Sequence, residues 1–159
     1  NHPFAQISLE QFSNWALHPS HLFLVCEYKN EILGLFFSIR LKPKVFQKII
    51  NFEMKKSELN IDDFASFDEM GSNFMLSFYA LNNKIAIRYY AHLIANQTRI
   101  KEIGVITALD DVKRVVHNMN LDETKSMVMD DQVELKSYRQ SLSNVLVSEN
   151  VVKMLFSRT

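Results

Sequence analysis

The chain has 159 residues, 47% hydrophobic and 23% charged, and its 18 Lys+Arg balance 18 Asp+Glu. That length and mix fit one globular domain with a core large enough to fold alone. The zero net charge removes any global argument for nucleic acid or an acidic membrane as partner, and a single cysteine, Cys26, excludes an intrachain disulfide framework and a cysteine-based zinc site.

No apolar run approaches the ~18 residues that span a bilayer. With one cysteine, a reducing cytoplasm is the expected compartment; no signal peptide is visible. The chain starts at Asn1 rather than Met, which points to residues removed from the natural start, with a first strand among the expected losses.

In chain order, "SLEQFSNWALH" (8–18) reads as a short helix capped by Ser8, with Leu9, Phe12 and Trp15/Ala16 on one face. "LFLVCEY" (22–28) and "EILGLFFSIRL" (31–41) are β-rich runs split by "KN", the pattern of a hairpin. Gly34 within the second run predicts a bulge or a close backbone approach. Cys26 reads as a small buried residue. "PKVFQKIINFEM" predicts a helix that starts at Pro43, and "NIDDFASF" a second one capped by Asn60. The run ends at Gly71. Lys42, Lys44, Lys48, Lys55 and Lys56 are the only candidates for a local basic patch and read as a solvated face.

"NFMLSFYAL" (73–81) predicts a central strand and residues 84–98 a heavily buried helix, with Arg88, His92 and Arg99 as its polar side. Tyr89 and Tyr90 read as core. "IKEIGVITAL" (100–109) predicts a buried strand. "DDVKRVVHNMN" (110–120) has the periodicity of an amphipathic helix in Val112, Val115, Val116 and Met119. Asp110 and Asp111 suit its positive N-terminal end and His117 its C-terminal part. "TKSMVMD" and "QVELKSYR" predict two strands, and residues 141–156 one closing helix. A mixed α+β domain follows, with a central sheet of parallel and antiparallel strands and helices on both faces. No domain boundary, repeat or linker interrupts it.

Five histidines form no metal-ligand pattern, and three glycines leave little room for a P-loop or dinucleotide fingerprint. The one stretch with the outline of an anion site is "YALNNKIAIRYYAHLIANQTR" (79–99), a strand end, a turn and a helix start. Free amides at a helix start bind phosphate oxygens. Such turns are usually glycine-rich, and this one has no glycine.

The order of elements resembles the GNAT acyltransferase superfamily over about residues 8–135. "HLFLVCEYKNEILGLFFSIRL" is similar to its second and third strands. "NFMLSFYALNNKIAIRYYAHLI" is similar to its fourth strand and following helix, and "IGVITALDDVKRVVHNMNLDE" to its fifth strand and helix. The resemblance implies a GNAT-like domain spanning 1–159 and an N-acyltransferase that uses acetyl-CoA or another acyl-CoA, with no metal. It implies that acyl-CoA lies in a splay between the fourth and fifth strands. Tyr79, Leu81, Asn83, Lys84, Ile85, Ala86, Ile87, Arg88 and Asp110 then stand at cofactor-binding positions. In place of the family's Q/R-x-x-G-x-G/A loop stands "NNKIAIR" (82–88), where only Ala86 is small. The family's acid, a Tyr in the helix after the fifth strand, is matched by Val116, and an Asn near the start of that helix by Asp110.

Proton transfer would then fall to Tyr79 or His117. The acidic run Asp62, Asp63, Asp68 and Glu69 lies where the family builds its acceptor site. The implied partner is a small-molecule or protein amine, with no nucleic acid and no membrane, and a homodimer stays open. A catalytically inactive GNAT-like module that binds a ligand or protein is the alternative. An unrelated α+β interaction domain without a small-molecule site is a third reading.

Overall fold

The computed structural model describes residues 8–18, 21–80, 84–97 and 99–156. The first element is α1 (Leu9–Ala16), set by a capping box in which the Ser8 hydroxyl accepts from the Gln11 amide and the Gln11 side chain accepts from the Ser8 amide. Strands β1 (His21–Tyr28) and β2 (Glu31–Leu41) form the expected hairpin. Lys29 and Asn30 both take positive φ, 50° and 64°, as a type I′ turn requires. Cys26 pairs with Gly34 and Glu27 with Ile32, so the bulge expected at Gly34 falls on its neighbour, Leu33.

Helix α2 (Pro43–Ile50) starts at proline as expected but stops short of Met54. Its end is a Schellman motif. Phe52 takes φ 59°, its amide donates to Ile49 O, and the Glu53 amide donates to Lys48 O. Phe52 holds a conformation glycine favours, and its half-buried ring packs on the core beneath α2. Residues 60–67 do not form the second helix. A single 3-10 turn, Ile61–Asp63, follows the Asn60 cap, and another, Lys56–Glu58, precedes it.

β3 (Gly71–Ala80), α3 (Lys84–Ala95), β4 (Ile100–Thr107), α4 (Asp110–Asn118), β5 (Asp122–Val128) and β6 (Glu134–Ser141) follow. The expected closing helix divides into α5 (Leu142–Leu146) and α6 (Glu149–Phe156). The break lies at Val147 and Ser148, where the Ser148 hydroxyl donates to Val145 O and supplies the backbone with a local alternative to the helix ladder.

The six strands lie in the order β1-β2-β3-β4-β6-β5. Only β3 and β4 pair in parallel among these neighbours. Alternation along the central strands divides the core. Phe36, Met75, Ile103 and Val105 face α3, α4 and α6; Phe37, Phe74 and Ile106 face α1 and α2. This is why the central strands read as continuous apolar runs rather than alternating ones. Gly104 makes room for α2: a Cβ there would lie 2.5 Å from Cζ of Phe46 and 2.8 Å from Cδ1 of Ile50.

Candidate functional site

The parallel ladder joins Gly71 to Ile100, Asn73 to Ile103, Phe74 to Gly104 and Met75 to Val105. Beyond Met75 and Val105 the two strands part. β3 stays with β2, out to the pair Gly34/Ala80, while β4 stays with β6, out to Thr107/Lys136. Each parted segment therefore turns one backbone edge toward the gap. Such edges carry donors and acceptors that need partners. The parting begins at an irregularity: Phe37 pairs with Ser77 but Ser38 with Met75, so Leu76 is an extra residue in β3. A bulge takes its extra residue out of the ladder and bends the strand, and the pairing of β3 with β4 ends just before it, at Met75 and Val105.

The sequence does not announce the bulge, because "NFMLSFYAL" carries no glycine and alternates well enough for a regular strand. Only the register shows it. Phe74 pairs with Ile39 and Ser77 with Phe37, so three steps along β3 match two along β2.

Around the gap, the expected residues are placed as follows. Tyr79 lies on the parted segment of β3, its backbone paired with Leu35. Lys84, Ile85, Ala86 and Ile87 form the first turn of α3, which starts just past the parted segment. The side chains of Tyr79 and residues 84–87, and Leu81 and Asn83 entirely, lie outside the described residues. Arg88 is half-buried, and its Nε donates to the Met154 carbonyl at 3.2 Å, tying α3 to the last turn of α6.

Asp110 opens α4 at the end of β4 that borders the gap, exposed and 3.4 Å from the Lys113 ammonium. His117 is exposed in the last turn of α4. That turn lies at the far end of β4, since the next residues reach the β6 terminus, where the Gln140 side chain donates to Asn120 O. Val116, at the position of the family's acid, is fully buried in the core. Tyr90 is also core, stacked on Phe36 with 4.7 Å between centroids.

The acidic run serves its own turns. The carboxylates of Asp63 and Glu69 accept from the Asn60 and Ser66 amides, and Asp68 accepts from the Ser66 hydroxyl, which holds the Asp68 carboxyl below its usual range. Arg40 fastens the loop by donating to the Ser66 and Glu69 carbonyls.

Two groups near the gap were not singled out in the sequence as site residues. Tyr138 on β6 pairs with Val105, the β4 residue at which the strands part, and is 7% exposed. Burial, then the Glu123 carboxylate, raise its phenol above the ordinary range; Glu134 and Asp110 act in the same direction and Lys136 against it. A hydroxyl so placed stays protonated at neutral pH and is able to donate.

The second is Lys56. Lys42, Lys44, Lys48 and Lys55 are exposed as expected, but Lys56 is only 5% exposed. Its Nζ stands 5.3 Å from the centroid of Phe74, the residue before the last parallel pair. Burial alone lowers its pKa from the usual 10.5 to about 8. The signal "KKSELN" gives no periodicity that would separate an inward lysine from an outward one.

Among the described residues no group of three or more His, Cys, Asp or Glu is arranged to hold a metal ion. No helix among them is long and apolar enough to cross a membrane.

No family model and no curated protein matches the chain. Among solved structures it is similar to FeeM, an N-acyl amino acid synthase from uncultured soil microbes. The TM-score is 0.57 and the identity 7%, over 87% of this chain and 82% of that one. At that identity the likeness is one of fold: a GNAT-like mixed sheet flanked by helices.

Proposed function

We propose that this chain is an N-acyltransferase that moves an acyl group from a thioester, acetyl-CoA or a longer acyl-CoA, to an amine. The observation that carries this reading is the parting of β3 and β4 after Met75/Val105, with the bulge at Leu76 at its base. Two facing backbone edges suit an extended ligand whose own amides complete the pairing, as the pantetheine arm of CoA does. The helix start after β3 suits the phosphates at the other end of that arm. Lys84 and the first turn of α3 would hold them.

In this reading the amine nitrogen attacks the thioester carbonyl, loses a proton, and the carbon–sulfur bond breaks. The thiolate then takes a proton. Tyr138, beside Val105, is the donor we assign to that step. Backbone amides at the Leu76 bulge would stabilise the oxyanion, in the way preorganised donors do. Full burial of Val116 favours a second reading, a module that binds an acyl-CoA or a partner without turnover.

Calorimetric titration with CoA and acetyl-CoA, with Lys84→Glu as control, tests the first half of the proposal. Binding that Lys84→Glu weakens by about tenfold is expected from the loss and reversal of one phosphate contact. An amine screen with product detection then decides turnover. No binding at millimolar CoA would overturn the thioester reading, and binding without turnover would favour the second.

A further inference from the structure

Ser38 and Asn73 are polar residues in the middle of the sheet. They lie on β2 and β3, each with a strand on both sides, and are 1% and 2% exposed. Among the described residues, neither the Ser38 hydroxyl nor the Asn73 amide nitrogen has a hydrogen-bond partner. Buried polar groups in folded proteins are almost always bonded, because an unmade bond leaves the whole cost of desolvation standing. Apolar residues would fill both positions without that cost, as Phe36 and Met75 do beside them.

The register brings the two groups together. Ser38 pairs with Met75, and Asn73, two residues before Met75, pairs with Arg40. Phe36 and Met75 face the α3 side of the sheet, so Ser38 and Asn73, each two residues along from one of them, face that side as well. They are diagonal neighbours across the ladder, with Cα atoms ~7–8 Å apart and Cβ atoms closer. One water that makes two hydrogen bonds of ~2.8–3.0 Å spans what remains between a serine oxygen and an asparagine nitrogen in such positions. The residues around them offer no substitute. Arg40 has only donors, and it uses them on the Ser66 and Glu69 carbonyls. Ile103 of β4 and Ala91 and Ile94 of α3 bring only apolar side chains to this layer.

We propose that Ser38 and Asn73 hold a buried water molecule between β2 and β3, on the side of the sheet that α3 covers. Asn73 Nδ2 donates to the water oxygen; the water and the Ser38 hydroxyl bond each other, with either as donor. Two polar partners are the least that an internal water needs. Its place gives it a task. Ser38/Met75 is the pair at the register shift, with Leu76 as the extra residue, so the water ties β2 to β3 at the foot of the bulge. Ser72, buried and likewise without a partner, lies on the other face with Phe74 and is no part of this site. The site stands independently of the acyl-transfer reading.

Oxygen-17 magnetic relaxation dispersion counts internal waters of long residence. The test applies it to the intact chain, to Ser38→Ala, to Asn73→Leu and to the double variant. Each single variant should lose one long-lived water, and the double variant that same one and no second. The thermal midpoint of Ser38→Ala should fall by about 2–4 °C, and the double variant should fall by less than the sum of the single changes, since the two side chains share one partner.

An unchanged water count in the single variants overturns the proposal. With coupled midpoints it would mean that the two side chains bond each other directly, and with a raised midpoint for Ser38→Ala that they are left unbonded. Should a variant fail to fold, a crystal of the wild-type chain decides. A solvent peak within hydrogen-bond distance of both Ser38 Oγ and Asn73 Nδ2 supports the site, and its absence at a resolution that shows other internal waters overturns it.

Discussion

Gly104→Ala tests how α2 is seated against the sheet. The added methyl would stand 2.5 Å from Cζ and 2.8 Å from Cε2 of Phe46, and 2.8 Å from Cδ1 of Ile50. Carbon atoms in contact settle at ~3.5–4.0 Å, so the ring must retreat by about 1 Å. Phe46 and Ile50 are both fully buried, and an interior packed to crystal density has no slack to absorb that movement. Overpacking of this kind costs ~1–3 kcal/mol. The substitution also restricts the unfolded chain, which returns ~0.4–1 kcal/mol. A net loss of ~1–2 kcal/mol follows, which at ~2–4 °C per kcal/mol for a domain of this size lowers the melting temperature by ~2–8 °C.

Urea and thermal denaturation read this directly, with an unchanged m-value as the sign that only stability moved. Phe46→Leu combined with Gly104→Ala should be less destabilised than the sum of the two single changes, by ~0.5 kcal/mol or more, because the smaller side chain vacates the space the methyl needs. A Gly104→Ala chain as stable as the wild type, or a double variant that is simply additive, would refute this seating of α2.

Lys56 makes a pH-dependent prediction of its own. Its folded pKa is lowered from 10.5 to about 8, so between these values the unfolded chain holds a proton that the folded chain has released. Stability contributed at this site therefore rises with pH across that window, by up to ~3 kcal/mol, and the full penalty stands below it. The difference in urea midpoint between wild type and Lys56→Met should shrink as pH rises; a difference that stays flat would place the ammonium in water. Ser8→Ala removes one half of the α1 capping box and should cost ~1 kcal/mol, with a red shift of the single tryptophan, Trp15, if α1 frays. An unshifted emission at lowered stability would mean that α1 is held by its packing alone. Tyr138→Phe should lower kcat for acyl transfer by ~10²-fold or more at nearly constant KM. Because the phenol is raised, the alkaline limb of the wild-type profile should lie above the ordinary tyrosine value of ~10, and a variant with unaltered kcat would move the acid elsewhere.

The fold was legible where sequence pattern and backbone demand coincide. "KN" between two β-rich runs is a turn, and the positive φ at Lys29 and Asn30 shows the chain using it as one. Pro43 starts a helix because its fixed φ suits the first turn and it lacks an amide the helix does not need. Where pattern ran past structure, a local hydrogen bond had won. Val45, Ile49 and Phe52 have helical spacing, yet Phe52 closes α2 in the left-handed region because that conformation lays its ring on the core. Residues 141–156 keep an apolar face throughout, but Ser148 diverts a carbonyl and splits the run.

Of the candidate site, the sequence showed only a stretch of chain. The stretch after β3 and the strand pair around it follow from the order of elements, and the gap opens there. Its chemistry depends on features that a linear pattern does not carry. A bulge at Leu76 shifts facing by one residue without changing composition. Tyr138 gains its position from the order β4-β6-β5, which brings the last strand, not the next one, beside β4. Lys56 looks like its four exposed neighbours until the turn that carries it is folded under α1. The three share a physical cause: each side chain or amide is defined by what lies across from it, on an element distant in sequence. Local residue choice decides which element forms, and the partner across the gap decides what that element can do. For the same reason the absence of glycine from residues 81–83 does not by itself argue against an acyl thioester. Glycine eases backbone approach to a ligand, but the parted edges of β3 and β4 are set by the bulge and by their outer partners, β2 and β6.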